Sequence, residues 1–455
     1  MIPTTSAFDA ARNGRGQDPV VVVTFPTLGL TYSNRSGITG LAPTSTFAQM
    51  PAGASQQVSD LQGSATVGAL NLTVVDVNRA VLALLGTKQW YGALALLQIG
   101  FAGLTYPTDF ITVFTGVVQS VTPTDDHTGF VIGLRDFNRR LTNQVYGTGD
   151  DGLTPTSATN PKTLDGNPMA LVIDLLENQL GLASGYVDTA AITALQNGRL
   201  SCTRMLFSLQ KSVNAKTFLE QELLRPNGLF HFARYNGAIS VVDMLAPPTP
   251  VGIAFAFTQS NIVGIPKFRQ QPIYNWVQFD LDYDGSNYRD TEEFIDAASV
   301  AKFDLQAVLQ IQSQGLRSNL QGASRAGITA RRIFERYAGG PANQITLVAA
   351  SLQPVIVEVG DYVTVSHPLM EDLDSGTLGW SDRVCQVLNV QANWAKGQLT
   401  YDLIDVTAML KPAFQFAPDT VPAWPTATAP QRQQYLFMAD ASSQQSDGSA
   451  AGGIF

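Results

Sequence analysis

"FDLDYDGSNYRDTEE", Phe279–Glu293, sets three aspartates at alternate positions, Asp280, Asp282 and Asp284, directly before Gly285. An EF-hand calcium loop begins the same way, but it must end on a bidentate glutamate at its twelfth position. Counted from Asp280, that position holds Thr291, and Glu292 comes one residue later. The flanking pattern is not helical either. In "NWVQFDLDYD", Asn275–Asp284, the side chains of Val277, Phe279, Leu281 and Tyr283 alternate with Gln278, Asp280, Asp282 and Asp284. That is the period of a half-buried strand with one polar face, and Asp284-Gly285 supplies the turn after it. The stretch therefore reads as a strand whose polar face looks outward. Asp280, Asp282 and Asp284 stay as a candidate surface cation site behind that reading. The chain therefore reads as a β-rich structural protein rather than a calcium protein.

The rest of the composition agrees. Only 14% of the 455 residues are charged, against about 25% in an average globular protein. A polar but weakly charged surface suits a chain that buries much of its outside in an assembly. The net charge is -9 and no basic block occurs, which argues against groove binding to nucleic acid. Two cysteines (Cys202, Cys385) and three histidines (His127, His231, His367) lie far apart in the sequence, so a Cys/His zinc site is not expected. The first residues lack a signal-peptide pattern. The longest apolar run, Gly92 to Leu104, is too short for a bilayer. These features lead us to expect no membrane span and synthesis in the cytoplasm.

Along the chain, a short helix is expected around Ser6 to Arg12, then a buried strand in "DPVVVVTF". Further strands are expected in "NLTVVDV", "ALALLQIGF", "FITVFTGVVQSV" and "GFVIGLRDF", at a spacing that suits an antiparallel sandwich or barrel. Thr142 to Asn167 reads as a long connection. "NPMALVIDLLENQLGL" reads as a helix with Asn167 as cap, Pro168 in the first turn and Gly181 as stop. A shorter helix after Asp188 and another over Ala215 to Leu224 follow. "LFHFARYNGAISVVDM" then forms a hairpin on Asn236-Gly237, read as a type I′ turn. A second β region starts at Phe257. A helical stretch over Phe303 to Ala338 interrupts it, with Leu320, Ile333, Phe334 and Tyr337 as core contacts. β structure resumes at "NQITLVAA" and ends in a hairpin turning at Ala395-Lys396-Gly397. The Pro-, Gln- and Ser-rich tail after Leu410 has little core of its own. A β region interrupted by a helical insert thus occurs in both halves.

Catalytic patterns are sparse. His127 sits in a turn with Asp125 and Asp126, His231 lies in a hairpin strand, and His367 is at a strand end beside Pro368. No GxSxG elbow and no glycine-rich phosphate loop is present. Five tryptophans (Trp90, Trp276, Trp380, Trp394, Trp424) could line a sugar cleft, although core packing is their commoner use. The alternative function is accordingly a secreted or virion-associated glycan-cleaving enzyme or carbohydrate-binding β protein. It requires a cleft with two carboxylates about 5–9.5 Å apart.

Several segments in order resemble the hub proteins of phage tails. They are "TDFITVFTGVVQSVTPTDDHTGFVIGLRDFNRRL", then "NPMALVIDLLENQLGL", then "NAKTFLEQELLRPNGLFHFARYNGAISVV". "SNIVGIPKFRQQPIYNWVQFDLDYD" and "VEVGDYVTVSHP" with "RVCQVLNVQ" complete the set. In the last of these, Gly360-Asp361 forms a turn before a strand. The family includes the tail-tip and baseplate hubs of tailed phages and gene transfer agents. The resemblance implies a mainly β fold with α+β inserts: two tube-like β-barrel domains, a small α+β domain and a helical insertion. Residues 1–150 would form the first barrel and 151–255 the α+β domain. Residues 256–285 with 345–410 would form the second barrel, 286–344 the insertion, and 411–455 an extended tail. It also implies a homotrimer in the virion, at the tail tip or baseplate. The trimer would join a sixfold tail tube and distal tail ring to a threefold tip. Tape measure protein and tail-tip fibre or spike proteins would be its other partners. DNA would slide through the lumen without specific binding, past acidic walls for which Asp280 and Asp282 are the candidates. No cofactor, no resident metal and no enzymatic activity are expected.

Overall fold

The structure is a computed structural model. It describes residues 1–406 apart from 15–16, 43–44, 47–54, 60–63, 66–67, 77–78, 245–250, 271–272, 319–321, 340–342, 373–375 and 395, and beyond them 407–410, 415–416 and 435–436. Leu320, Ala395, Trp424 and most of the tail lie outside the described residues. The chain divides into two units, Met1–Val406 and Thr407–Phe455. In the second, Thr407–Leu410 is a 3-10 turn, and Gln415–Phe416 pairs with Tyr435–Leu436.

The first unit is built on one sheet of 15 strands. Its first-half strands are β1 (Pro19–Phe25), β2 (Leu30–Ser33), β3 (Ser45–Thr46), β4 (Ser55–Ser59), β5 (Ala69–Val75), β6 (Leu94–Phe101), β7 (Ile111–Pro123) and β8 (Gly129–Arg135). From the second half come β9 (Ile253–Thr258), β10 (Lys267–Gln270), β11 (Asn343–Ala349), β12 (Tyr362–Asp372), β13 (Thr377–Asn393) and β14 (Gln398–Asp405). The spatial order is β10-β11-β14-β13-β4-β5-β8-β7-β6-β1-β2-β3. β12 lies along the other stretch of β13, β9 lies on β12, and Ser64–Ala65 lies on β4.

The run of valines in β1 has a direct cause. Val21, Val23 and Phe25 enter the main core, while Val20 and Val22 pack on Phe110 behind the sheet. Both faces are covered, so no polar alternation is needed. The main core crosses both halves: Leu97, Phe114 and Ile132 belong to the same cluster as Val387, Tyr401 and Leu403. The second half curls, because Phe268 on β10 meets Trp380, three strands away on β13, at 5.7 Å between ring centroids. The expected barrel is not closed there. Among the described residues, its outer strands β9 and β10 pair only with β12 and β11.

Two smaller bodies flank this sheet. In the α+β part, Asn167 caps Pro168–Ile173, which continues as a π-type helix over Asp174–Gln179. Leu171, Val172, Leu175, Leu176 and Leu180 are buried, as their spacing predicts. Thr142 to Asn167 is not wholly irregular, since Lys162–Gly166 pairs with Met205–Leu209. The Asn236-Gly237 hairpin forms between Leu229–Ala233 and Ile239–Asp243, but its turn is not type I′. Only Gly237 has positive φ, and its N–H donates to Arg234 O at 2.8 Å. That is a type I turn followed by a left-handed glycine.

The insertion begins earlier than the sequence suggests. Trp276–Tyr283, assigned above to the second barrel, pairs instead with Tyr288–Ile295 and Val308–Gln312 in a separate three-stranded sheet. The expected helix over Phe303 to Ala338 is likewise broken by Val308–Gln312, where Leu309 and Ile311 are buried and their neighbours exposed. A period of two wins over helix there. The helix that does form, Gly322–Tyr337, buries Ile333 and Tyr337, and Phe334 is half-buried.

Candidate assembly surface

Asp280, Asp282 and Asp284 do not converge. Asp280 is only 5% exposed. Gln278 and Thr291 donate to its Oδ1 at 3.0 and 3.2 Å, and Gln310 and Gln312 donate to its Oδ2 at 2.7 Å each. Burial pushes this carboxyl up, but the amide and hydroxyl donors outweigh it and hold the pKa below its ordinary value. Asp282 is bound by the backbone and hydroxyl of Ser318. Asp284 accepts from the N–H groups of Ser286 and Asn287 and pairs with Arg289. Among the described residues, no three His, Cys, Asp or Glu side chains group as a metal site would need. The expected outward polar face is therefore corrected at Asp280: the glutamines of Val308–Gln312 cover it, and it is not an exposed wall residue.

Asp280→Ala strands four donors. It is expected to cost about 2 kcal/mol, read as a lower urea midpoint. Because the folded pKa is depressed, the contribution is present above the ordinary carboxylate range. It is lost as pH falls through the folded pKa, so the variant and parent should converge in acid.

The other candidates also separate. Asp126 accepts from the hydroxyls of Thr124 and Thr128, which hold it down to about 2, rather than pairing with His127. His367 is 3% exposed inside β12, and its Nδ1 accepts from the N–H of Leu369. Cys202 is exposed and Cys385 buried; both are free, and burial pushes the Cys385 thiol well up. Trp90, Trp380 and Trp394 are all under 5% exposed, and Trp276 is half-buried in the insertion. These four line no common cleft. No helix among the described residues is long and apolar enough to cross a membrane.

What the geometry does bring together is a repeat. In the first half the order is β4-β5-β8-β7-β6; in the second it is β10-β11-β14-β13-β12. The sixth strands differ, since β1 runs antiparallel to β6 and β9 parallel to β12. The hairpins match pair by pair. Val118 faces Leu134, and Val387 faces Leu403; after one skipped residue Ser120 faces Gly133, and Asn389 faces Asp402. The two bulges, at Gln119 and Leu388, are 269 residues apart (388 − 119). β6 against β7 and β12 against β13 also agree, each with a register shift after the fourth pair. Gly92 N–H donates to Val118 O at 2.9 Å, and Gly360 N–H donates to Val387 O at 2.8 Å. Both glycines have positive φ, a conformation that L side chains rarely adopt.

One strand joins the halves. β4 pairs with β5 on one side and with β13 on the other, Ser55 opposite Gln391 and Gln56 opposite Val390. It docks on β13 beyond the end of β12. The equivalent stretch of β7, Gln119–Pro123, runs past the end of β6. It has β8 on one edge and no partner strand on the other among the described residues. Gln119, Ser120, Thr122 and Pro123 are exposed. Among the described residues, β10 likewise pairs only with β11.

No family model matches the chain, and no curated protein matches its sequence. The solved structures it resembles include phage tail proteins. The 43 kDa tail protein of prophage MuSo2 from Shewanella oneidensis is 14% identical, covering 86% of this chain and 100% of that one, with a TM-score of 0.48. A tail protein from Neisseria meningitidis MC58 is 9% identical over 85% and 96% of the two chains, with a TM-score of 0.46. Prophage tail protein gp18 from Listeria monocytogenes EGD-e is 10% identical over 85% and 94%, with a TM-score of 0.41. At these scores the likeness assigns no role to any residue.

Proposed function

We propose that the chain is a structural subunit of a phage tail tip, a hub of which three copies form one ring. The observation that carries this reading is the internal repeat. A chain whose two half-sheets share five matching strands, arranged three times, presents six similar positions to a sixfold tube and three to whatever lies beyond. The half-sheets are the proposed ring-forming domains, one within residues 1–150 and one from β9–β10 with residues 345–410. The α+β part over 151–255 and the inserted sheet project from them. Tail tube and distal tail proteins on one face, and tape measure and tip fibre or spike proteins elsewhere, are the proposed partners. A weakly charged surface favours such large interfaces. The net charge of -9 disfavours lasting contact with the phosphates of passing DNA. No catalytic step is assigned to the chain.

Electron microscopy of the assembled particle tests this. A ring of three copies around a channel, with pseudo-sixfold sheet density, is the expected result. A protein that stays monomeric in the particle, or a ring of another order, overturns it.

A further inference from the structure

We propose that the seam between the α+β part and the inserted sheet is a binding site for an acidic sugar residue: Lys211 takes its carboxylate, the amides of Gln210 and Gln314 take its hydroxyls, and Tyr283 backs its ring. The site is independent of how many copies of the chain assemble.

A cleft of about 370 Å³ opens at this seam, its walls including Ser208, Gln210, Lys211, Tyr283, Gly285 and Gln314. Small-molecule sites begin at about 300 Å³. The walls are fixed to one another. Leu206 N–H donates to Gly315 O at 2.9 Å, and Gln314 N–H donates to Glu222 Oε2 at 2.6 Å. A Cβ on Gly315 would fall 2.1 Å from the Phe207 ring, so backbone and ring meet with no room between them. The cleft is thus preformed by the packing of two bodies.

The polar groups around it are uncommitted. Among the described residues, the side chains of Ser208, Gln210, Lys211, Tyr283 and Gln314 make no hydrogen bond and no ion pair. The Tyr283 ring is steadied by Tyr288, 5.1 Å away between centroids. Leu206 spends its N–H on the edge opposite Lys162–Gly166. By the alternation of an antiparallel strand, the N–H and C=O of Ser208 leave from that same edge, toward the cleft. The Asp284-Gly285 turn closes the other side. Gly285 has positive φ, and a Cβ there would lie 2.8 Å from Gln210 Nε2, so a glycine lets that amide reach the turn.

Charge narrows the ligand. No carboxylate is among the described lining residues, and those nearby are engaged: Asp284 by Arg289, Asp282 by Ser318 and Glu222 by Gln314. Lys211 has no acidic partner among the described residues, and neither has Arg317, which donates to Tyr283 O at 2.6 Å. In a chain of net charge -9, this spot is cationic and rich in amides and hydroxyls. Each amide both donates and accepts, as a sugar hydroxyl does, and an ammonium forms a charge-assisted bond to a carboxylate. An apolar ligand would leave the amides unanswered. A bare anion would engage Lys211 alone.

Ligand-observed NMR titration of the full chain tests this with sodium D-glucuronate, D-glucose and sodium acetate as probes. A ligand of roughly a dozen non-hydrogen atoms in an open cleft should bind at about 1 mM. Glucuronate is expected to saturate there, glucose about tenfold more weakly for want of the charged bond, and acetate not at all in that range. Lys211→Met should bring glucuronate to the level of glucose and leave glucose unchanged. Gln210→Ala with Gln314→Ala should weaken both sugars. None of these side chains bonds within the fold, so the variants should melt with the parent. Absence of saturation by glucuronate at about ten times the expected concentration overturns the site. So does acetate binding as tightly as glucuronate, or glucuronate binding that survives Lys211→Met. The 1-O-methyl glucuronide separates two sources of the same chemistry: undiminished binding supports a residue within a glycan chain, and lost binding supports the free sugar acid.

Discussion

Raising the pH from about 4 to about 7 is expected to strip roughly 3 kcal/mol from the first half-sheet through one residue, Asp136. Its carboxyl is 2% exposed and caps the 3-10 helix Phe137–Thr142. Burial raises its pKa to about 7, against the N–H groups of Gly68 and Asn138, which donate to it at 2.8 and 3.1 Å and pull the other way. The folded value thus lies above the unfolded one. Stability from this group is full below the unfolded carboxylate pKa, declines above it, and is gone once pH exceeds the folded value. Denaturant midpoints across this range, compared with those of Asp136→Asn, isolate the effect. The parent should weaken with pH relative to the variant, which has no carboxyl to ionise. Parallel curves would refute the assignment. The equivalent residue in the second half, Asp405, faces Arg383 at 3.3 Å, so the same motif position is served there by a cation.

Glu220→Ala is expected to cost about 3 kcal/mol. Glu220 Oε1 lies 3.0 Å from His231 Nε2, accepts from the backbone N–H of Ala65 at 3.2 Å, and is 3.7 Å from Lys216 Nζ. His231 is fully buried, and its Nδ1 has no partner. Removing the glutamate leaves both ring nitrogens without a partner inside the core, where desolvation is uncompensated. Replacing both residues with apolar ones, Glu220→Met with His231→Phe, should recover part of the loss, because no ring nitrogen is then stranded and only the Ala65 N–H lacks its acceptor. Urea titration of the two single variants and the double gives the coupling. A double variant as unstable as the sum of its parts would show that the pair does not act as a unit.

Much of the sheet is legible in the sequence where side chains alone specify it. β1 and the β7–β8 hairpin are runs of β-branched and aromatic residues with turn residues between them. Leu171 to Leu180 carry a helical stripe that the fold buries. What escapes is set by long-range pairing. β4, "SQQVS", has almost no apolar signal, because its place depends on hydrogen bonds to strands on both sides. Asp280 looks like a surface residue locally; it is buried only because Gln310 and Gln312 arrive from a strand some thirty residues on. The repeat is nearly invisible as residue identity, since bulge positions and registers define it. One trace was available: Leu134, Asp136, Phe137 and Leu141 recur in spacing as Leu403, Asp405, Val406 and Leu410.

The junction strand also imposes an order in time. Gln57 waits for Asn389, more than 300 residues downstream. At about 5–20 residues per second on a ribosome, its edge stays unpaired for tens of seconds after it emerges. For most of that interval β4 and the open stretch of β7 coexist on nascent chains, and neighbouring chains on one message expose both edges before any of them is finished. Conditions that slow elongation between the two halves should therefore favour mispaired, aggregated product over the folded subunit.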